Sequence, residues 1–217
     1  MAMAARAATV VVGATVIVLA GACTRVVDDA RVVAAPDMGK APASASDCTK
    51  VDAPMTSIPD HTDEEPVMKI PQPQGWERVT LMDSELVRFS MRNGAMVKDG
   101  FAPTAVVTLE SHPGISEPRE VFDAQQDALK SGIGATDMIV RQATLCELPA
   151  ETVVYNAPQM GMLPPHPESM LTAVMHTEND TYAMTMTVQS TDPGNPAYQR
   201  DAETILTGFQ MLPPSDA

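Results

Sequence analysis

Met170-Leu171-Thr172-Ala173-Val174-Met175-His176 and Tyr182-Ala183-Met184-Thr185-Met186-Thr187-Val188 flank a short polar stretch, Glu178-Asn179-Asp180, and this part of the chain decides the fold class. In the second run Tyr182, Met184, Met186 and Val188 alternate with Ala183, Thr185 and Thr187, the period of two that points successive side chains to opposite faces of a sheet. Asn and Asp tolerate the positive φ that tight turns demand, so the stretch reads as a β-hairpin.

Working outward, residues 138–143 and 151–155 carry further strand patterns, separated from the hairpin by a loop rich in Pro and Met, residues 157–168. Upstream, Val87, Phe89 and Met91 alternate with Arg88, Ser90 and Arg92, which predicts a strand with one dry face. Ala105-Val106-Val107-Thr108-Leu109 is more continuously apolar and suits a central strand. Ser116-Glu117-Pro118 predicts a helix start with Ser116 as N-cap, and Val121, Phe122, Gln125, Ala128 and Leu129 fall on one helical stripe before Gly132 and Gly134. Downstream, Asp192-Pro193-Gly194-Asn195-Pro196 opens a second helix with the stripe Tyr198, Ala202, Ile205, Leu206 and Phe209, followed by a short strand over 209–212. Strands dominate and two helices interrupt them, so the chain is read as α+β with a largely antiparallel sheet.

The start of the chain has a different texture. Residues 1–22 contain one basic residue, Arg6, no acidic residue, and an unbroken run of apolar and small residues. The strongly apolar core of about ten residues is too short for a membrane-spanning helix, which takes roughly twenty, and the profile is that of a signal peptide. It ends in Leu19-Ala20-Gly21-Ala22-Cys23, which is similar to the lipobox of bacterial lipoproteins. On that reading Cys23 is lipidated with a diacylglyceryl thioether and an amide-linked acyl chain, and two or three chains hold it durably on a membrane. The alternative is ordinary secretory cleavage near Ala22, with Cys23 incidental. Residues 23–66, rich in Ala, Pro, Ser and Asp, read as a disordered acidic tether carrying Cys23, and residues 67–217 as the folded domain.

Composition narrows the partners. The formal net charge of −14 excludes a nucleic-acid surface, which needs clustered cations, and argues against binding anionic headgroups directly. Of three cysteines, Cys48 and Cys146 remain once Cys23 is assigned to lipid. An even pair in an exported chain reads as a disulfide, with two buried free thiols as the alternative.

The segment Thr204-Ile205-Leu206-Thr207-Gly208-Phe209-Gln210-Met211, taken with Ile70-Pro71-Gln72-Pro73-Gln74-Gly75-Trp76, Phe101-Ala102-Pro103-Thr104-Ala105-Val106-Val107 and the lipobox, resembles the LpqN/LpqT-type lipoproteins of mycobacteria and related actinobacteria. The resemblance covers residues 67–217 and implies a Mog/PsbP-like fold, an α/β/α sandwich whose antiparallel sheet is covered by helices on both faces. It also implies a place in the cell envelope, on the extracytoplasmic face of the membrane, and a binding or assembly role without a reaction.

No residue pattern demands catalysis. Neither Gly-x-Ser-x-Gly nor Ser-x-x-Lys occurs, and Ser116 reads as a helix cap. His112, between Ser111 and Pro113, is the one candidate base, and a hydrolase ranks last. His61-Thr62-Asp63-Glu64-Glu65 reads as a solvated charge run rather than a metal site. His166 lies between prolines in a loop, His176 lies in a strand, and no pair has zinc spacing. No cofactor is expected. The unusual feature is 16 methionines against four phenylalanines. Met160, Met162, Tyr182, Met184 and Met186 are the candidate apolar face, because Met repacks around varied partners; the plainer reading is core filling. The expectation is therefore a non-enzymatic, membrane-anchored protein-binding module, with a carrier of envelope lipids through a Met-rich groove as the alternative.

Overall fold

The computed structural model describes residues 44–214, all within the unit Ala41–Ala217. Cys23, the signal segment 1–22 and residues 24–43 lie outside the described residues. Ten strands occur in chain order: β1 Met55–Ile58, β2 Val67–Pro71, β3 Trp76–Arg78, β4 Val87–Asn93, β5 Thr104–Pro113, β6 Thr136–Leu145, β7 Leu148–Ala157, β8 His166–His176, β9 Asp180–Gln189 and β10 Gln210–Leu212. Helix α1, Pro118–Asp127, joins β5 to β6, and α2, Pro196–Gly208, joins β9 to β10.

The expected hairpin is β8 and β9, at the centre of a seven-stranded antiparallel sheet in the order β3-β4-β5-β9-β8-β7-β6. Central placement explains why β8 is buried on both faces. Leu171, Ala173 and Met175 stand opposite Met186, Met184 and Tyr182 and, with Phe89, Met91 and Val107, form one face of the main core. Ile205 and Phe209 at the C-terminal end of α2 close that core, together with Met68, Ile70 and Met211 of a second sheet ordered β1-β2-β10. Met170, of opposite parity, packs with Val153, Tyr155, Ala157 and Leu129 in a separate cluster.

Each helix is fixed by particular residues. Asn195 caps α2 by accepting from the Ala197 N–H at 2.9 Å, and the Trp76 indole N–H reaches from β3 to Asp201 of α2 at 2.9 Å in the interior. Ser116 is not the cap of α1. Glu117 occupies that position, while the Ser116 N–H donates to Thr181 Oγ1 and its carbonyl accepts from His176 Nε2, both at 2.9 Å. The helical stripe does continue past Asp127, but as a wide turn over Ala128–Ile133, closed by Gly134 at φ 75°.

Two expectations are corrected. The tether does not extend to residue 66. Cys48 is buried, Met55–Ile58 pairs with Val67–Pro71, and Glu65 lies in the interior. Composition misplaces the boundary because a four-residue strand flanked by prolines and acids carries almost no period. A full α/β/α sandwich is also more than the described residues display: they show two antiparallel sheets and two α-helices, and β6 is exposed along most of its length.

Candidate functional site

Antiparallel order brings the start of β5, the end of β7, the start of β8 and the end of β9 to one end of the large sheet. The register fixes this: Thr104 pairs with Gln189, Gln189 with Glu168, Glu168 with Tyr155, and Ala157 with His166. Loops 94–103, 158–165 and 190–195 leave the sheet there. Loop 190–195 touches loop 94–103, where Thr191 Oγ1 donates to the Lys98 carbonyl at 2.9 Å, and the Phe101 ring lies 5.8 Å from the His166 ring at the start of β8.

Beneath these loops sits a buried polar cluster that sequence reading missed. The Tyr155 hydroxyl donates to Glu168 Oε2 at 2.6 Å, and Glu168 Oε1 lies 3.3 Å from His166 Nε2. His166 Nε2 is 2.7 Å from Gln189 Oε1, and Nδ1 is 2.8 Å from the Pro164 carbonyl. The contact of Nδ1 with the Pro164 carbonyl ties loop 158–165 to the strand. Burial pushes the Tyr155 phenol far above its usual range, and its hydrogen bond to Glu168 and that residue's charge add to the shift. Thr104 Oγ1, at the end of the same cross-strand row, is buried without a hydrogen-bond partner. Each oxygen of Glu168 and each ring nitrogen of His166 is engaged by protein, so the cluster works as a clamp on the loops. Glu168 shares a strand face with Met170 two residues on, which was the available signal, but flanking prolines make His166 look like a loop residue.

The five residues expected to form one apolar face divide into two groups. Met184 and Met186 are 0% exposed and Tyr182 5%, all in the main core. Met160 and Met162, at 44% and 101%, lie on loop 158–165 above the polar clamp. Core and loop methionines therefore do not line a common groove, and the reason is parity: the face of β9 bearing Met184 and Met186 is the face that α2 closes. Val97 on loop 94–103 is a further exposed apolar residue, at 54%.

Cys48 and Cys146 form a disulfide. His112 is exposed at the end of β5 and lines an open cleft of about 200 Å³ with Glu110, Ser116, Glu120 and Gln125. The acidic run at 61–65 is not simply solvated, because Glu65 makes a bidentate ion pair with Arg88 at 2.6 and 2.8 Å. Among the described residues no group of His, Cys, Asp and Glu is arranged to hold a metal ion, and no helix is long and apolar enough to cross a membrane.

The arrangement of strands and helices is similar to that of LpqN of Mycobacterium tuberculosis, a protein involved in cell envelope biogenesis, with a TM-score of 0.59 over 74% of this chain and 91% of that one at 16% identity. The chain has an LpqN-like fold. Cyanobacterial PsbP of Synechocystis matches with a TM-score of 0.48 at 15% identity, covering 76% of this chain and 96% of that one. The Ran-binding protein Mog1p of Saccharomyces cerevisiae matches at 0.46 and 13%, covering 76% and 98%. No protein-family model matches the chain, and no curated protein matches it. The LpqN-like fold thus stands on geometry.

Proposed function

We propose that this chain is a membrane-anchored lipoprotein of the cell envelope that works without catalysis, binding a protein partner through the loops at the clamped end of its large sheet. One observation carries the reading: the loop methionines Met160 and Met162 are exposed while Met184 and Met186 are sealed in the core. Flexible apolar side chains displayed on a fixed loop suit a partner's surface. Closed packing behind them favours that over enclosure of a lipid chain.

The location rests on three supports. The segment 1–22 ending at Cys23 has the form of a lipoprotein signal, the Cys48–Cys146 disulfide suits an oxidising compartment, and the similar LpqN acts in cell envelope biogenesis. Cross-linking in intact cells followed by purification is expected to capture an envelope protein with the native chain and to lose it when Met160→Glu and Met162→Glu are combined. Cys23→Ala is expected to move the chain from the membrane to the soluble fraction. Retention of the partner by the double variant would sink the loop assignment. Mass spectrometry showing stoichiometric lipid in the purified chain would favour lipid carriage instead.

A further inference from the structure

The methionines of the domain fall into two chemical populations. Met68, Met91, Met184, Met186 and Met211 are at most 1% exposed and belong to the main core. Met162 is 101% exposed, whereas Met82, Met160 and Met55 lie between 37% and 47%. A two-electron oxidant that reaches a thioether converts it to the sulfoxide, a change that reductases reverse, and access decides which sulfur reacts.

Local geometry leaves the Met162 side chain with no part in the fold. Met160 and Leu163 exchange both backbone hydrogen bonds, each at 3.0 Å, around the two-residue turn Gly161-Met162. Gly161 stands at φ 61°, the left-handed conformation that a glycine opening such a turn adopts freely. A Cβ placed on it would meet nothing within 4 Å, so the tip stands in open space. The Gln159 side chain donates to the Gly161 carbonyl at 3.1 Å, and the Pro164 carbonyl is 2.8 Å from His166. Backbone and polar contacts thus fix the turn, and a chemical change at the Met162 sulfur alters the surface without disturbing the packing behind it. In the core the same change would set a polar S=O group among apolar side chains.

On the reading that this loop holds a protein partner in the envelope, we propose that Met162, with Met160 beside it, is a site of reversible oxidation by peroxide-class oxidants, whose sulfoxide releases that partner. In the forward step one oxygen of hydrogen peroxide bonds to sulfur as the O–O bond breaks, and the other leaves as water with both hydrogens. Sulfur gives up two electrons and the peroxide takes them. In the return step two thiols of a reductase become a disulfide and the oxygen leaves as water. The flexible apolar side chain becomes a polar, hydrogen-bond-accepting one, which an apolar contact no longer matches. Met82 supplies an internal comparison. It lies on loop 79–86, at the opposite end of the large sheet, where Val87 pairs with Thr108, so its oxidation leaves the partner surface untouched.

The first measurement treats the purified full chain with hydrogen peroxide and follows each methionine by peptide mass spectrometry. Met162 is expected to be oxidised about tenfold or more faster than Met184, Met186 and Met211. Thermal unfolding of the chain oxidised at Met162 should be unchanged, and methionine sulfoxide reductase with dithiothreitol should restore the thioether. Equal rates at Met162 and the core methionines, a lowered melting temperature, or a sulfoxide that resists reduction would each overturn the proposal. The second measurement is made in intact cells, where a peroxide pulse before cross-linking should release the partner from the native chain and from Met82→Leu. Met160→Leu combined with Met162→Leu should keep it through the same pulse. A partner retained by native chain whose Met162 is converted overturns the oxidation proposal alone when the Met160→Glu, Met162→Glu chain still loses that partner. It overturns the loop assignment as well when that chain keeps the partner too.

Discussion

Glu65 and Arg88 place opposite charges where side-chain exposure is only 9% and 6%. Burial pushes the Glu65 carboxyl up, but the Arg88 guanidinium, the His61 N–H and the surrounding positive charge hold it below the usual range. Removing one partner leaves the other charged and dry, so Arg88→Ala is expected to cost about 3–5 kcal/mol in denaturant unfolding, whereas Glu65→Leu with Arg88→Met should come close to neutral. The sign with pH follows from the lowered carboxyl. Its contribution is complete above the unfolded value of about 4.3 and is lost as pH falls through the folded one. The native chain should therefore lose stability more steeply below about pH 4.5 than the double variant does, which melting temperature against pH would record. A second residue-scale prediction concerns Gly208. A Cβ there would lie 2.4 Å from Val51 Cγ2 and 2.8 Å from Pro71 Cγ, and these stiff groups cannot swing away. Gly208→Ala should destabilise by about 1–3 kcal/mol through overpacking, read by thermal unfolding.

At the scale of elements, residues 44–66 are where structure departs most from sequence. Strand β1 pairs with β2, and Thr56 Oγ1 donates to Gln72, whose side chain in turn donates to the Trp76 carbonyl. Chains begun at Val67, the boundary the composition suggests, lose β1, Val51, Cys48 and Glu65 together. They are expected to melt well below chains begun at Ser44, or to fail to fold, by circular dichroism. The β8–β9 hairpin and α2 were legible because each combines a sustained period with a turn or cap signal. Strand β1 was not, since four residues offer two alternations. The Cys146-Glu147 turn was missed because neither residue is the Gly or Asn that positive φ favours. The buried cluster at Tyr155, Glu168, His166 and Gln189 was hidden for a related reason: pairing across three strands is a property of register, which no local window contains.

At the scale of the whole molecule, the disulfide spans a sequence separation of 98, and closing so long a loop is worth about 4–5 kcal/mol in the chain-entropy treatment. Cys48→Ala with Cys146→Ala is expected to remove about 2–5 kcal/mol of stability, measured by denaturant unfolding against the native chain. The methionine reading also belongs to this scale. A face of methionines on one strand is a core or a groove depending on whether something covers it, and here α2 does. Met160 and Met162, by contrast, remain exposed on their loop.

The same disulfide has a mechanical meaning. Under the proposed anchoring and partner binding, load passes along the covalent path from the N-terminal part, and at Cys48 that path branches across the sulfurs to Cys146. Strand β1 and the Glu65–Arg88 pair both lie inside the loop the bond closes, so tension bypasses them and enters the large sheet at the β6–β7 turn. Oxidised, the molecule resists peeling from β1. Reduced, the same pull would unzip β1 first.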